Sequence, residues 1–389
     1  MTTNEIHPNN PKKNRLFFAD HLRAALVILV VLHHVAMVYG GIQPFYYLET
    51  PASLTAFIVP MIFVLLNQGW FMGALFLLAG YFTPGSYDRK GAGTYLTDRL
   101  IRLGIPLIVF YFVLSPISGI GYFLMSGTTA GLTWQTFWGA YPDLIGLGPL
   151  WFVAMLLIFD FGYVGWRLLA KKRVSGSTSE SSTPTYLGIV LFVLALALVS
   201  YLVRIAIPLG KSVLDFPTLA YLPQYISFFV IGTIAYHRDW LRRLPGRMGV
   251  VGFVIAMLAT FTLFALGFLS FLKALENAAP QIPPWGFGTW QSAVYVLWDS
   301  IFAVGMMMAA ITFFRRFFNK ESKFGTFLAQ QSYAVYVIHI PIVVFLAYAL
   351  RGIVLGSFLK FGFVSLLVLA TCFVVAFILR KIPGVSRVL

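Results

Sequence analysis

Charge is scarce in this chain and cysteine nearly absent: 11% of the 389 residues are Asp, Glu, Lys or Arg, and Cys372 has no second cysteine. A lone cysteine excludes an internal disulfide framework and a cysteine-built metal centre. A soluble domain carries about 25% charged residues, so water is not the solvent for most of this chain. Acidic residues are the rarer sign, 13 against 28 Lys and Arg, which leaves a formal charge of +15. Those cations stand in short loops beside apolar runs, where membrane orientation and anionic headgroups explain them, and nucleic acid is not an expected partner. No clear small-residue cleavage site follows the first apolar run, so that run is expected to stay as a helix. Neither an internal repeat nor a fused soluble domain is evident.

What is present is hydrophobic length. The residues AVILMFWYC make up 59% of the chain, and the mean hydropathy is +0.84. Runs near the roughly 20 residues that span a bilayer recur, and in lipid they must be helical to satisfy their own backbone. The fold class is therefore an all-α integral membrane bundle of about ten helices, near 20–41, 55–82, 100–125, 149–170, 186–207, 219–236, 248–271, 289–314, 325–350 and 357–379. Lys and Arg concentrate on alternate loops: Lys12, Lys13, Arg15 and Arg23; Arg89, Lys90, Arg99 and Arg102; Arg167 and 171–173; Arg238 to Arg247; Arg315 to Lys323; and Arg380 to Arg387. By the positive-inside rule these loops and both termini are expected in the cytoplasm. The expected layout is a cytoplasmic segment over 1–19, one transmembrane domain over 20–380 and a tail over 381–389, with the Ser/Thr-rich stretch 175–185 as a flexible cytoplasmic loop.

Ionisable groups inside membrane helices are costly and so point to function. The first helix holds Asp20, Arg23, His33 and His34. At 100° per residue His34 returns to within about 20° of Arg23, roughly 16 Å further along, and Asp20 falls on the same side. His33 sits about 80° away, which makes His34 the candidate base. Replacing His34 with Ala should abolish function, and His33→Ala should largely spare it. Ser332, Tyr336 and His339 share one face of the ninth helix, where His339 is either a second catalytic group or a packing histidine bonded to a carbonyl. Arg99 and Arg102 stand on one turn, a spacing suited to phosphate. Arg204, near an outer helix end, could meet an anionic or polyhydroxylic acceptor. Trp134, Trp138, Tyr141, Trp285 and Trp290 fringe the outer loops, as an interface belt or as sugar-stacking surfaces.

These residues form blocks that resemble the acyltransferase 3 family of polytopic membrane acyltransferases. DHLRAALVILVVLHH (20–34), LFLLAGYF (75–82), DRLIRLGIP (98–106), PLWFV (149–153) and SYAVYVIHIP (332–341) follow the family's order. RxGIP and YISFFVIGTIAY (225–236) are similar to the branch that includes the succinyltransferases of periplasmic glucan synthesis. Ala79 stands where the family usually has serine, and Pro149 where that branch has a histidine. The resemblance implies a multi-pass protein of the cytoplasmic (inner) membrane, with Arg23 and His34 essential and Arg99 and Arg102 on the phosphates of acyl-CoA. The implied reaction moves an acetyl or succinyl group from cytoplasmic acyl-CoA to a hydroxyl of an extracytoplasmic glycan. His34 would act as general base or acyl relay, supported by Asp20 or Arg23. No metal and no permanently bound cofactor is expected; the expected partners are the lipid bilayer, acyl-CoA and the glycan acceptor, with a homodimer left open. Two other readings compete: a secondary transporter of a glycan or organic anion, though paired Gly/Pro-broken helices are lacking, and a non-catalytic partner in a glycan-synthesis complex.

Overall fold

The structure, a computed structural model, describes residues 15–125, 132–170, 183–276 and 286–389. Lys12, Lys13, Lys171, Lys172, Arg173, Trp285 and most of the 175–185 stretch lie outside the described residues. The chain opens with α1 (Phe17–Tyr39), α2 (Leu54–Gln68) and α3 (Phe71–Arg99). After a π-helical turn, Leu100–Gly104, come α4 (Ile105–Val109), a second π-turn at Phe110–Leu114, α5 (Ser115–Met125), α6 (Trp134–Leu144) and α7 (Trp151–Leu169). The remainder is α8 (Tyr186–Ala206), α9 (Leu222–His237), α10 (Trp240–Arg243), α11 (Gly246–Ala259), α12 (Ala265–Glu276), α13 (Trp290–Phe317), α14 (Lys323–Ala349), α15 (Ser357–Leu379) and α16 (Val385–Val388). Among the described residues the only strand-like pairing is an isolated bridge between Val213 and Phe216.

Nine stretches among the described residues are long and apolar enough to cross a membrane, one of them the 72-residue run of helices Leu54–Met125. A straight helix of that length would run about 108 Å, more than three times a bilayer core. It does not run straight. Gly91 has φ 73°, in the left-handed region where glycine avoids the Cβ penalty. Beyond it Tyr95 comes back to donate to the Thr83 hydroxyl at 3.4 Å and to pack its ring on Tyr87. The stretch also breaks at Gly69 and Trp70, so the expected helix near 55–82 is divided between α2 and the first part of α3, while the expected helix near 100–125 follows the Gly91 turn. The charged residues Asp88, Arg89 and Lys90 had ended the apolar run, yet the helix continues through them, because a helix can extend past the lipid. Helix α6, which lies between the expected spans near 100–125 and 149–170, has no counterpart among the apolar runs; Thr133 caps it by accepting from the Thr136 amide.

Burial separates the bundle's centre from its rim. In their most apolar windows α1 and α14 are each 61% inside the protein, against 17% for α8. Residues such as Leu187, Leu194 and Leu198 on α8 are exposed, as expected of a face solvated by lipid. His21 Nδ1 meets the Phe318 carbonyl at 2.7 Å near the starts of α1 and α14, and His34 meets His339 further on, so the two helices run in the same direction. Helices α3 and α9 touch backbone to backbone: a Cβ on Gly80 would lie 2.1 Å from the Phe229 carbonyl oxygen, and one on Gly232 would lie 2.2 Å from that of Leu77. Small residues at such crossings permit the close approach that drives helix association in lipid.

Buried charge ties the outer part of the bundle. Arg204 of α8 is 1% exposed and donates to Asp299 of α13 at 2.5 Å, with the Tyr221 and Tyr295 rings against its guanidinium. Removing one partner of such a pair strands a charge in the apolar interior, so Asp299→Ala is expected to cost about 3–5 kcal/mol. A fall in the apparent melting temperature of the purified protein, with the same loss in Arg204→Ala, is the measurement that checks it.

Candidate active site

The second half of α1 carries His33 and His34 to the edge of a cavity of about 470 Å³, whose wall also includes Phe45, Gln68, Ser115, Trp151, Tyr221 and Tyr336. The cavity is closed on one side by the segment joining α6 to α7. There Gly148, at φ 44°, leaves no room for a side chain, since a Cβ would lie 2.6 Å from the Tyr46 hydroxyl. The π-turn at Phe110–Leu114 delivers Ser115, whose hydroxyl donates to the Leu144 carbonyl at 2.8 Å and lies 3.1 Å from the Tyr46 hydroxyl. A π-turn adds a residue to a helix and so re-aims the side chains beyond it, and such turns cluster at functional sites.

At the base of the cavity His34 of α1 meets His339 of α14. His339 Nε2 lies 3.2 Å from His34 Nδ1, with ring centroids 4.9 Å apart. Each Nδ1 also faces a backbone carbonyl, His339 that of Tyr336 at 2.7 Å and His34 that of Val30 at 2.8 Å. A carbonyl can only accept, so both rings are assigned as Nδ1–H tautomers when neutral. His339 Nε2 is then a lone pair turned toward the His34 Nδ1–H. His34 Nε2 keeps its own lone pair and has no protein partner among the described residues. Proton uptake at that nitrogen makes an imidazolium whose Nδ1–H is met by two acceptors, an arrangement suited to general-base work. Phe45 stacks on the His34 ring at 5.5 Å and fixes its plane.

The other expected site residues distribute unevenly. Tyr336 lines the cavity and donates its hydroxyl to the Pro149 carbonyl, which places the departure at 149 directly in the cavity wall. His33 lines the cavity as well, stacked on Phe71 at 5.2 Å, so the 80° offset read from the helix does not remove it from the site. The cavity wraps around α1 far enough to reach both histidines. Asp20 and Arg23 are not brought to them: they pair with each other at 2.9 Å at the opposite end of α1, where Arg15 joins Asp20 at 2.8 Å. Ser332 donates to its own helix at the Leu328 carbonyl, 2.7 Å away, and lies outside the cavity wall. Arg204 is also outside it, committed to Asp299. Trp134, Trp138 and Trp290 are exposed and absent from the wall.

Arg99 and Arg102 occupy the turn where the expected helix near 100–125 begins. Arg99 Nε lies 3.3 Å from the buried Asp160 carboxylate and its guanidinium covers the Tyr95 ring at 5.0 Å, while the Arg102 side chain is exposed. The Arg102 carbonyl accepts from Tyr333 at 2.7 Å. His339 stands six residues beyond Tyr333 on α14, a rise of about 9 Å, so the arginines and the histidine couple lie at different depths. Among the described residues no three His, Cys, Asp or Glu side chains converge as a metal site would require.

Fold and site together define a polytopic membrane protein with a histidine couple at the edge of a cavity, His34 in its wall and His339 buried behind it. The family described as Acyltransferase domain matches residues 16–378, and the chain belongs to this acyltransferase 3 family of membrane acyltransferases. It is similar to glucans biosynthesis protein C of Shigella dysenteriae serotype 1 (strain Sd197), 23% identical over 346 residues that cover 85% of this chain and 83% of that protein. It is similar in the same way to glucans biosynthesis protein C of Salmonella heidelberg (strain SL476), 23% identical over 349 residues, again 85% and 83% of the two chains. No solved structure matches it.

Proposed function

We propose that this acyltransferase moves an acetyl or succinyl group from acyl-CoA on the cytoplasmic side of the inner membrane to a hydroxyl of a glycan on the outer side. The observation that carries the reading is the pairing of the cavity-lining His34 with the buried His339, with Nε2 of His34 left without a partner among the described residues. In this reaction Nε2 takes the proton of the acceptor hydroxyl as its oxygen attacks the thioester carbonyl. The new C–O bond forms, the C–S bond breaks, and the departing thiolate takes up the proton that His34 acquired, which returns the ring to its neutral form. The Nδ1–H of His34, bonded to Val30 and His339, holds the ring in orientation while its charge rises. Arg99 and Arg102, anchored at the other level, offer guanidinium groups to the donor's phosphates. Asp160 holds Arg99 through Nε. The names of the relatives, proteins of glucan biosynthesis, favour a glycan as acceptor.

Purified protein in detergent, given acetyl-CoA or succinyl-CoA with and without gluco-oligosaccharide, is expected to release free thiol faster when acceptor is present. Absence of acceptor-stimulated release with both donors would contradict the reading and favour a transport role instead.

A further inference from the structure

Resting on that reading of the site, the cavity wall carries information about the acceptor's charge. Among the described residues the only ionised side chains in the wall are two carboxylates, Asp143 and Asp215; no Lys or Arg lines it. Both are exposed, whereas the histidines are not, so the acids stand at the mouth and the histidines within. They come from separate segments that are pinned together: Asp215 Oδ2 accepts from the Leu147 amide at 3.3 Å, just beyond the end of α6 that carries Asp143. Lys211, in the same loop as Asp215, is exposed and outside the wall.

Deeper in, the polar atoms suit hydroxyl groups. His33 lines the cavity at 6% exposure, and its Nδ1 has no hydrogen-bond partner among the described residues. Buried polar atoms left unpaired are costly, and a ligand that donates and accepts without a net charge would satisfy this nitrogen. Trp151 and Tyr221 supply flat apolar surface beside them.

We propose that Asp143 and Asp215 form an anion-rejecting mouth, so that this cavity takes an uncharged polyhydroxylic acceptor and turns away one that bears phosphate or carboxylate. Like-charge repulsion at a narrow mouth lowers both the local concentration and the affinity of an anion. The same field keeps the polyanionic donor from this opening and leaves it the arginine level.

The test is direct binding of a neutral gluco-oligosaccharide and of its phosphorylated counterpart to the purified protein, without acyl-CoA, at low salt. The neutral sugar is expected to bind about tenfold tighter, with the preference shrinking as salt is raised. In Asp143→Asn/Asp215→Asn the preference should fall below about threefold, and in Asp143→Asn alone, on an exposed carboxylate, to an intermediate value. A preference unchanged in both variants, tighter binding of the phosphorylated sugar, or no binding of either would overturn the proposal. Thiol release assayed in parallel keeps the two ideas apart: an intact preference without turnover sinks acyl transfer alone.

Discussion

Replacing His34 with Ala is expected to lower acceptor-stimulated thiol release by about 10²–10⁴-fold, the range of a lost general base, while the protein keeps its elution profile and melting temperature. The side chain lies at a cavity edge, and the contact of α1 with α14 near their starts, His21 on the Phe318 carbonyl, stays in place without it. His339→Ala should fall in the same range, because His339 Nε2 is one of the two acceptors that meet the His34 Nδ1–H. The double variant should be scarcely worse than either single one, since groups that act as a unit do not add. Additive losses would mean that the two rings work separately. His33→Ala should leave kcat largely unchanged and raise the acceptor KM, because His33 lines the cavity without touching the couple's hydrogen bonds.

Gly80→Leu should be strongly destabilising although it lies away from the site. Even the first carbon of a new side chain would overlap the Phe229 backbone at 2.1 Å, and a backbone cannot rotate away as a side chain can. Overpacking of this kind costs about 3 kcal/mol, which for a chain of 389 residues translates to a drop of roughly 4 °C in apparent melting temperature. Gly162→Ala on α7 is the matched control, with nothing within 4 Å of the added carbon; it should be neutral or slightly stabilising. Equal behaviour of the two variants would show that α3 and α9 are not held by that contact.

Apolar runs made the helices legible in the sequence because lipid forces each one to close its own hydrogen bonds, and that constraint is local. The fold-back at Gly91 escaped because a glycine beside charged residues looks like the end of a helix, and only the return of Tyr95 to Thr83 shows the helix continuing on both sides. His34 was legible as a polar residue deep in an apolar helix. Its partner was not: His339 is 305 residues away, and nothing in either helix says which neighbour it faces. The stripe of Asp20, Arg23 and His34 shows the limit of helical angles, which order residues around an axis but leave Asp20 and Arg23 about 16 Å or more from the histidine along it. Asp143 and Asp215 carried no motif at all; they matter through the cavity that α1, α5 and the loops around them enclose.

The most direct measurement uses proteoliposomes in which the protein has one orientation, with acyl-CoA supplied only on the Arg99 and Arg102 side and gluco-oligosaccharide sealed on the other. Acylated sugar is expected to accumulate with wild type and not with His34→Ala, while the intact donor stays on its own side. Acylation that occurs only when donor and sugar share one compartment, or that survives His34→Ala, would contradict a single histidine couple serving both faces of the membrane.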